Sequence, residues 1–388
     1  MQTVYFDYNA TTPLDPQIRE AMLPFLGEVW GNPSSVHHVG RQARAQLDDA
    51  RERAAKVLGA KASEIVFTAG GTESANLAIM GTARLLKPKG RHIVTSAIEH
   101  RAVLRCFELL SQKEGFDVTC LPVDREGLVS PDSLAGAIRL DTILVSIMAA
   151  NNEIGTIQPV AELGAICRPR GVIFHTDAVQ WFGKEPFESV EQFNADLVSI
   201  CGHKIHGPKG AGALYIKSPL QPAPILLGGS HENERRAGTE NLAGIVGLVE
   251  ALERFVRTPV FDREKLSPLT GRLIHLLDRL PGVQFVGSRK HRLANTVAFV
   301  VDRSDSLPLL AGLDLEGICA SSGSACSAGS LEPSHVVEAL GVDKGLTNSL
   351  VRFSLGRDST SAEVDHVENI LPEVLRRAQG FSAALSGR

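Results

Sequence analysis

The sequence predicts an α/β protein: a large domain on a mainly parallel sheet of seven strands, followed by a smaller α+β domain. Three observations carry that expectation. Short apolar, β-rich runs alternate with helical patterns of roughly 10 to 15 residues, as in a parallel sheet covered by helices on both faces. The pattern changes after a long helical segment that breaks at Pro259. At 388 residues, 43% hydrophobic and 22% charged, the chain is long enough to bury a large core and form two domains.

The seven strand-like runs are EIVFT (64–68), HIVTS (92–96), DVTCLPV (117–123), TILVSIM (142–148), GVIFHTD (171–177), DLVSI (196–200) and GALYI (212–216). NLAGIVGLVEALERFVRTP (241–259) reads as a long helix. Beyond it, LTGRLIHLLDRL (269–280) reads as helix, while VQFVG (283–287) and NTVAFVV (295–301) read as strands. A helix, a cysteine-bearing loop, another helix, the strand VRFSL and a last helix complete an α+β pattern with its own small core. The expected boundary lies near residue 257.

The net charge of −4 and pI near 6.3 argue against nucleic-acid binding held mainly by phosphate neutralisation. No apolar run approaches membrane-spanning length, and MQTVYFDYNATTP does not resemble a secretory signal. The expected location is the cytoplasm. Six cysteines show neither a CxxC pair nor metal-ligand spacing, so no metal site is expected. Cys106, Cys120, Cys167 and Cys319 sit in apolar or amphipathic surroundings and read as packing residues. Cys326, in SSGSACSAGS (321–330), has only small neighbours.

Ligands of such sheets bind at the carboxyl ends of the strands. Three polar clusters fall there. TAGGTESANLAI brings Gly70, Gly71 and Thr72 into a helix start with Glu73 in its first turn. Free N–H groups and the helix dipole can hold a phosphate there, the alternative being an ordinary Thr72 N-cap. GVIFHTDAVQ delivers Asp177 just past a strand, with Gln180 three residues later. A carboxylate so placed can serve as metal ligand, general base or partner of a protonated heterocyclic nitrogen. In DLVSICGHKIHGPKGAGALYI a strand ends in Cys201, Gly202, His203 and Lys204. Desolvation there turns a lysine into an amine nucleophile for a carbonyl, the alternative being a side chain that snorkels to solvent. Phosphate cradle, Asp and amine together are what pyridoxal phosphate requires.

At this point the chain resembles the NifS/IscS-like cysteine desulfurases, fold type I pyridoxal-phosphate enzymes of the aspartate aminotransferase-like class, and their nitrogen-fixation branch in particular. The resemblance rests on YFDYNATTPLDP, GNPSSVHHVGRQAR, FTAGGTESANLAI, TSAIEHRAV, NNEIGTIQP, HTDAVQ, GHKIHGPKGAGALY, RRAGTENL, SSGSACSAGSLEPSHV and VRFSLGR, in family order over almost the whole chain. It implies a large cofactor-binding domain over 15–257, and a small domain from 1–14 and 258–388 carrying a mobile catalytic-cysteine loop at about 321–332. Lys204 would carry the cofactor covalently, Asp177 would pair with the pyridine nitrogen, and Gln180 would hydrogen-bond the ring hydroxyl. His100 would stack on the ring and assist proton transfer; its position also fits a helix cap. Gly71, Thr72, Cys201 to His203 and Thr239 would hold the phosphate, Thr239 from the other subunit of a homodimer. Cys201 stands where the family often has serine, and a thiol is a weaker donor. Asn152, which also faces the cofactor, and Arg352 would hold the substrate α-carboxylate.

The implied reaction removes sulfur from L-cysteine. Cys326 as thiolate takes the sulfur, leaving an enzyme persulfide and L-alanine, with Lys204 as proton shuttle. A free thiol has a pKa of about 8.5, so some proton removal must accompany attack. Glycine and small residues around Cys326 suit a loop that moves between the cofactor and an acceptor. An iron–sulfur scaffold protein is the expected acceptor, a tRNA-thiolation carrier the alternative. Selenocysteine lyase or another lyase or aminotransferase on the same fold is the alternative activity, and a catalytically silent scaffold-docking protein a third reading.

Overall fold

In chain order the strands are β1 (Val4–Tyr5), β2 (Ile65–Thr68), β3 (His92–Ser96), β4 (Asp117–Leu121), β5 (Thr142–Ser146), β6 (Ile173–Asp177), β7 (Leu197–Cys201), β8 (Gly212–Ile216), β9 (Val283–Val286), β10 (Thr296–Val301), β11 (Ile318–Cys319) and β12 (Val351–Ser354). This computed structural model describes residues 3–323, 333–343 and 345–386, with side chains to residue 379, so Cys326 lies outside the described residues.

Seven strands form one sheet in the order β2-β8-β7-β6-β5-β3-β4. All run in the same direction except β8, which pairs antiparallel with both β2 and β7. Every residue of β2, β3, β5, β7 and β8 is buried, as expected for strands covered on both faces. Because β4 is an edge strand, Cys120 is exposed, contrary to its reading as a packing residue; Cys106 and Cys167 are buried. Helices His38–Leu58 and Leu242–Phe255 pack on this sheet's core. The second helix ends earlier than the predicted 241–259, where the Val256 N–H closes on the Leu252 carbonyl.

A three-stranded antiparallel sheet, β12-β10-β9, forms a second core with the helices Arg263–Leu277, Ser306–Leu315 and Ser361–Ser386. The first of these starts six residues before the predicted Leu269, because Asp262 caps it by accepting the Glu264 N–H. The chain's start belongs to this core. β1 pairs in parallel with β11, and Val4, Phe6 and Tyr8 pack beside Phe261, Phe299 and Phe353. Burying each large side chain of this kind contributes on the order of 2–3 kcal/mol. From there residues 9–12 pass onto the carboxyl end of β7, where Thr12 N–H and Oγ1 both donate to the His203 carbonyl at 3.0 Å. Among the described residues no helix is long and apolar enough to cross a membrane.

Candidate active site

β6 and β7 lie side by side in parallel register, Asp177 opposite Ser199, so both strands end at one edge of the sheet. There a cavity of about 200 Å³ brings together Gly71, Thr72, His100, Asn152, Asp177, Gln180, Cys201, His203, Lys204 and Arg352. Of the site residues expected from the sequence, Cys326 is not described, and Gly202 and Thr239 do not line this cavity; the others all do. Thr239 is exposed and lines a separate cavity with Gly210, Arg236 and Asn241.

The glycine loop is built for close approach. Gly70 has φ 150°, and its Cα stands 2.6 Å from where a Cβ on Gly212 would be, so β8 can pass the loop only as glycine. Gly70, not Thr72, is the N-cap, and no side chain caps this end. A run of helical residues, 71–86, follows, with a π segment at Leu77–Gly81. A Cβ on Gly71 would stand 2.8 Å from Val179 Cγ2. Backbone N–H groups without a side-chain cap, beside a small-residue wall, fit a phosphate.

Lys204 Nζ donates to the carbonyls of Asn9 and Ala10, both at 2.7 Å. Burial, opposed by Cys201, reinforced by Arg352, and opposed by Asp7 and Asp177, lowers its pKa to about 8. Burial also raises Asp177 to about 6, against the Val179 N–H on its Oδ1 at 3.0 Å and the charge of Lys204. A cation bound beside Asp177 would restore its charged form, so this carboxylate fits a protonated ring nitrogen. His100 N-caps the helix Arg101–Glu114, its Nδ1 accepting the Ala102 N–H at 3.1 Å. Burial, then Lys204, lowers its pKa, so the neutral ring carries its proton on Nε2. Capping and cavity lining are thus combined in one residue. Burial raises the Cys201 thiol, while the N–H groups of Gly71 and His203 and the Lys204 charge pull it back.

Arg352 enters from β12. Its Nη1 donates to the carbonyls of Asn152 (2.8 Å) and Gly323 (2.7 Å), and its Nη2 to Asp7 Oδ1. Its buried Nε has no partner among the described residues.

A family model described as aminotransferase class-V matches residues 4–367. A cysteine desulfurase IscS of Dictyoglomus turgidum is 48% identical over 380 residues, covering 98% of this chain and 96% of the relative. The chain belongs to the cysteine desulfurase family of the class-V aminotransferases. Among solved structures, a NifS-like protein superposes with a TM-score of 0.90 at 38% identity, covering 97% of this chain and 100% of the other. A structure described as SspA in complex with cysteine does so at 0.81 and 35% identity, covering 92% and 100%.

Several residues around this site were not picked out by sequence reasoning. Asp7, Asn9, Ala10, Met148, Ala150 and Val179 face or support it. Asn9 is the busiest: its carbonyl accepts from Lys204 and Gln180, and its amide joins Asn152, Thr296, Lys184 and Asn295. YFDYNATTP supplied the family match, but an asparagine near a chain start carries no local chemical signal.

Proposed function

We propose that this protein is a pyridoxal-phosphate-dependent cysteine desulfurase, converting L-cysteine to L-alanine with transfer of its sulfur to Cys326. The observation that carries the reading is the convergence of Lys204, Asp177 and the Gly70–Thr72 loop on one cavity. Bound there, pyridoxal phosphate supplies an electron sink that makes the substrate's α-proton acidic.

The residues divide the remaining work. Gly71, Thr72, Cys201 and His203 hold the phosphate, joined by Thr239 from the second copy in a homodimer. The exposure of Thr239 and its absence from this cavity's lining within one chain support that contribution in trans. Asp177 holds the ring nitrogen, Gln180 the ring oxygen, and Lys204 the cofactor itself. Arg352 and Asn152 grip the substrate α-carboxylate. Lys204 Nζ, its pKa lowered to about 8, would take the α-proton when it is not holding the cofactor. His100 Nε2 lines the cavity as a further proton donor.

The thiolate of Cys326 attacks the substrate sulfur: the S–S bond forms, the C–S bond breaks with its electron pair left on the β-carbon, the β-carbon takes a proton, and the α-proton is returned to the α-carbon by Lys204, giving L-alanine. The complex of a similar protein with cysteine supports this substrate. An iron–sulfur scaffold is the acceptor this family resemblance points to. We further propose that 15–257 forms the cofactor-binding domain, with 1–14 and 258–388 the small one.

Borohydride reduction of the cofactor-loaded protein, followed by peptide mass spectrometry, tests the assignment of Lys204. The reading expects the cofactor's mass on the Lys204 peptide; a label on any other lysine overturns it.

A further inference from the structure

A second lysine is buried behind the site. Lys184 is 2% exposed, 20 positions from Lys204 in sequence, and the proposed reaction does not use it. Its Nζ donates to Asn9 Oδ1 at 2.6 Å and to Gln180 Oε1, and lies 5.0 Å from the centre of the Phe261 ring.

The chemistry of its partners fixes both amides. Asn9 Nδ2 donates to the Asn152 carbonyl (3.2 Å) and to Thr296 Oγ1 (2.9 Å), so its Oδ1 is turned to Lys184, where Asn295 Nδ2 also donates at 3.0 Å. Gln180 Nε2 donates to the Asn9 carbonyl at 3.0 Å, a group that can only accept. Its Oε1 is therefore turned to Lys184. As ammonium or as neutral amine, Lys184 has the two N–H bonds that these two oxygens need. Gln180 lines the cavity, and the polar group it has left for a ligand is its second N–H.

We propose that Lys184 is a positioning residue: by holding the Gln180 oxygen out of the cavity, it leaves an N–H, and only an N–H, to face an anionic ring oxygen of the cofactor. The inference rests on the reading of this cavity as a pyridoxal-phosphate site. A side chain without donors at 184 frees the Gln180 amide to rotate, and a carbonyl turned inward repels that oxygen. The same anchor reaches the small sheet through Asn9, Asn295 and Thr296, so the orientation of Gln180 is tied to the contact between the two cores.

The test uses the visible absorption of the cofactor-loaded protein as a function of pH. An N–H on the ring oxygen favours negative charge there and competes with the proton shared with the neighbouring lysine–cofactor link. Lys184→Met, which keeps the length and loses the donors, is expected to raise the pH midpoint of that absorption by about one unit, a tenfold change in the proton equilibrium. Gln180→Ala is expected to raise it similarly, and the double variant no further, because Lys184 acts through Gln180. Full additivity in the double variant, or an unmoved midpoint in Lys184→Met, overturns the inference. If Lys184→Met does not fold, Lys184→Gln, whose shorter stem cannot serve both oxygens, enters the same cycle with the same expectation of non-additivity. A wild-type protein without the absorption would overturn the cofactor reading itself, a result distinct from an absorption that is present and insensitive to Lys184.

Discussion

Arg352 Nη2 donates to Asp7 Oδ1 at 2.5 Å, and the arginine side chain is 1% exposed. The guanidinium assigned to a substrate carboxylate thus holds a carboxylate of its own chain, brought 345 positions through sequence by the parallel bridge of Asp7 to Ser354 at the end of β12. Removing one partner of a buried ion pair leaves the other charge uncompensated. Asp7→Asn is expected to lower the urea stability of the cofactor-loaded protein by about 2 kcal/mol, less than for a fully buried pair because the Asp7 side chain is 20% exposed. Saturating L-alanine should restore part of the loss by offering Arg352 a carboxylate. An equal loss with and without L-alanine would separate Asp7 from the substrate site.

Asp177 sets a pH dependence in the cofactor-free protein. Its folded pKa is raised from 3.8 to about 6, so its contribution to stability is complete below the unfolded value and lost as pH rises through about 6. Above that, the buried carboxylate opposes folding by at most about 3 kcal/mol. Asp177→Asn should therefore be more stable than wild type at pH 8, equal to it near pH 4, and inactive. Denaturant unfolding without cofactor at these pH values checks the sign. A difference that does not change with pH would contradict it.

Gly71→Ala places a methyl group 2.8 Å from Val179 Cγ2 and 3.6 Å from Cys201 Cβ. Val179 can give way, so the fold should survive with a small loss of stability, but its new position narrows the cavity. The expected result is cofactor binding weakened about tenfold, which is about 1.4 kcal/mol, in a spectroscopic titration. Unchanged affinity would show that the ligand does not approach this wall.

The strand-end rule made the centre of the site legible in the sequence: Gly71, Asp177 and Lys204 each follow an apolar run at the edge where parallel strands finish. What supports them was not legible. Asp7 and Asn9 are brought to the site because β1 pairs with β11 and Asp7 bridges to Ser354 of β12, pairings with no trace in the local pattern of residues 1–14. Lys184 sits in WFGKEPF, where nothing distinguishes an interior lysine from a surface one. The strand sequences did not encode direction, so the insertion of antiparallel β8 between β2 and β7 emerged only from the register of Gly212 opposite Thr68 and Cys201. Cys120 was misread because an edge strand and a central one share the same apolar composition.

The two proposed nucleophiles separate by variant. Lys204→Ala should lose the visible absorption of the lysine-linked cofactor. Cys326→Ala should keep it, still perturb it on adding L-cysteine, and lose sulfide production. Sulfide at the wild-type rate from Cys326→Ala would remove that residue from the reaction.

The proposed reaction is desulfuration of L-cysteine. Incubating the cofactor-loaded protein with L-cysteine and a thiol reductant, and quantifying alanine and sulfide in the same sample, tests it most directly. Equal yields of the two products are expected over many turnovers. Neither product, from a protein whose spectrum shows bound cofactor, would contradict it.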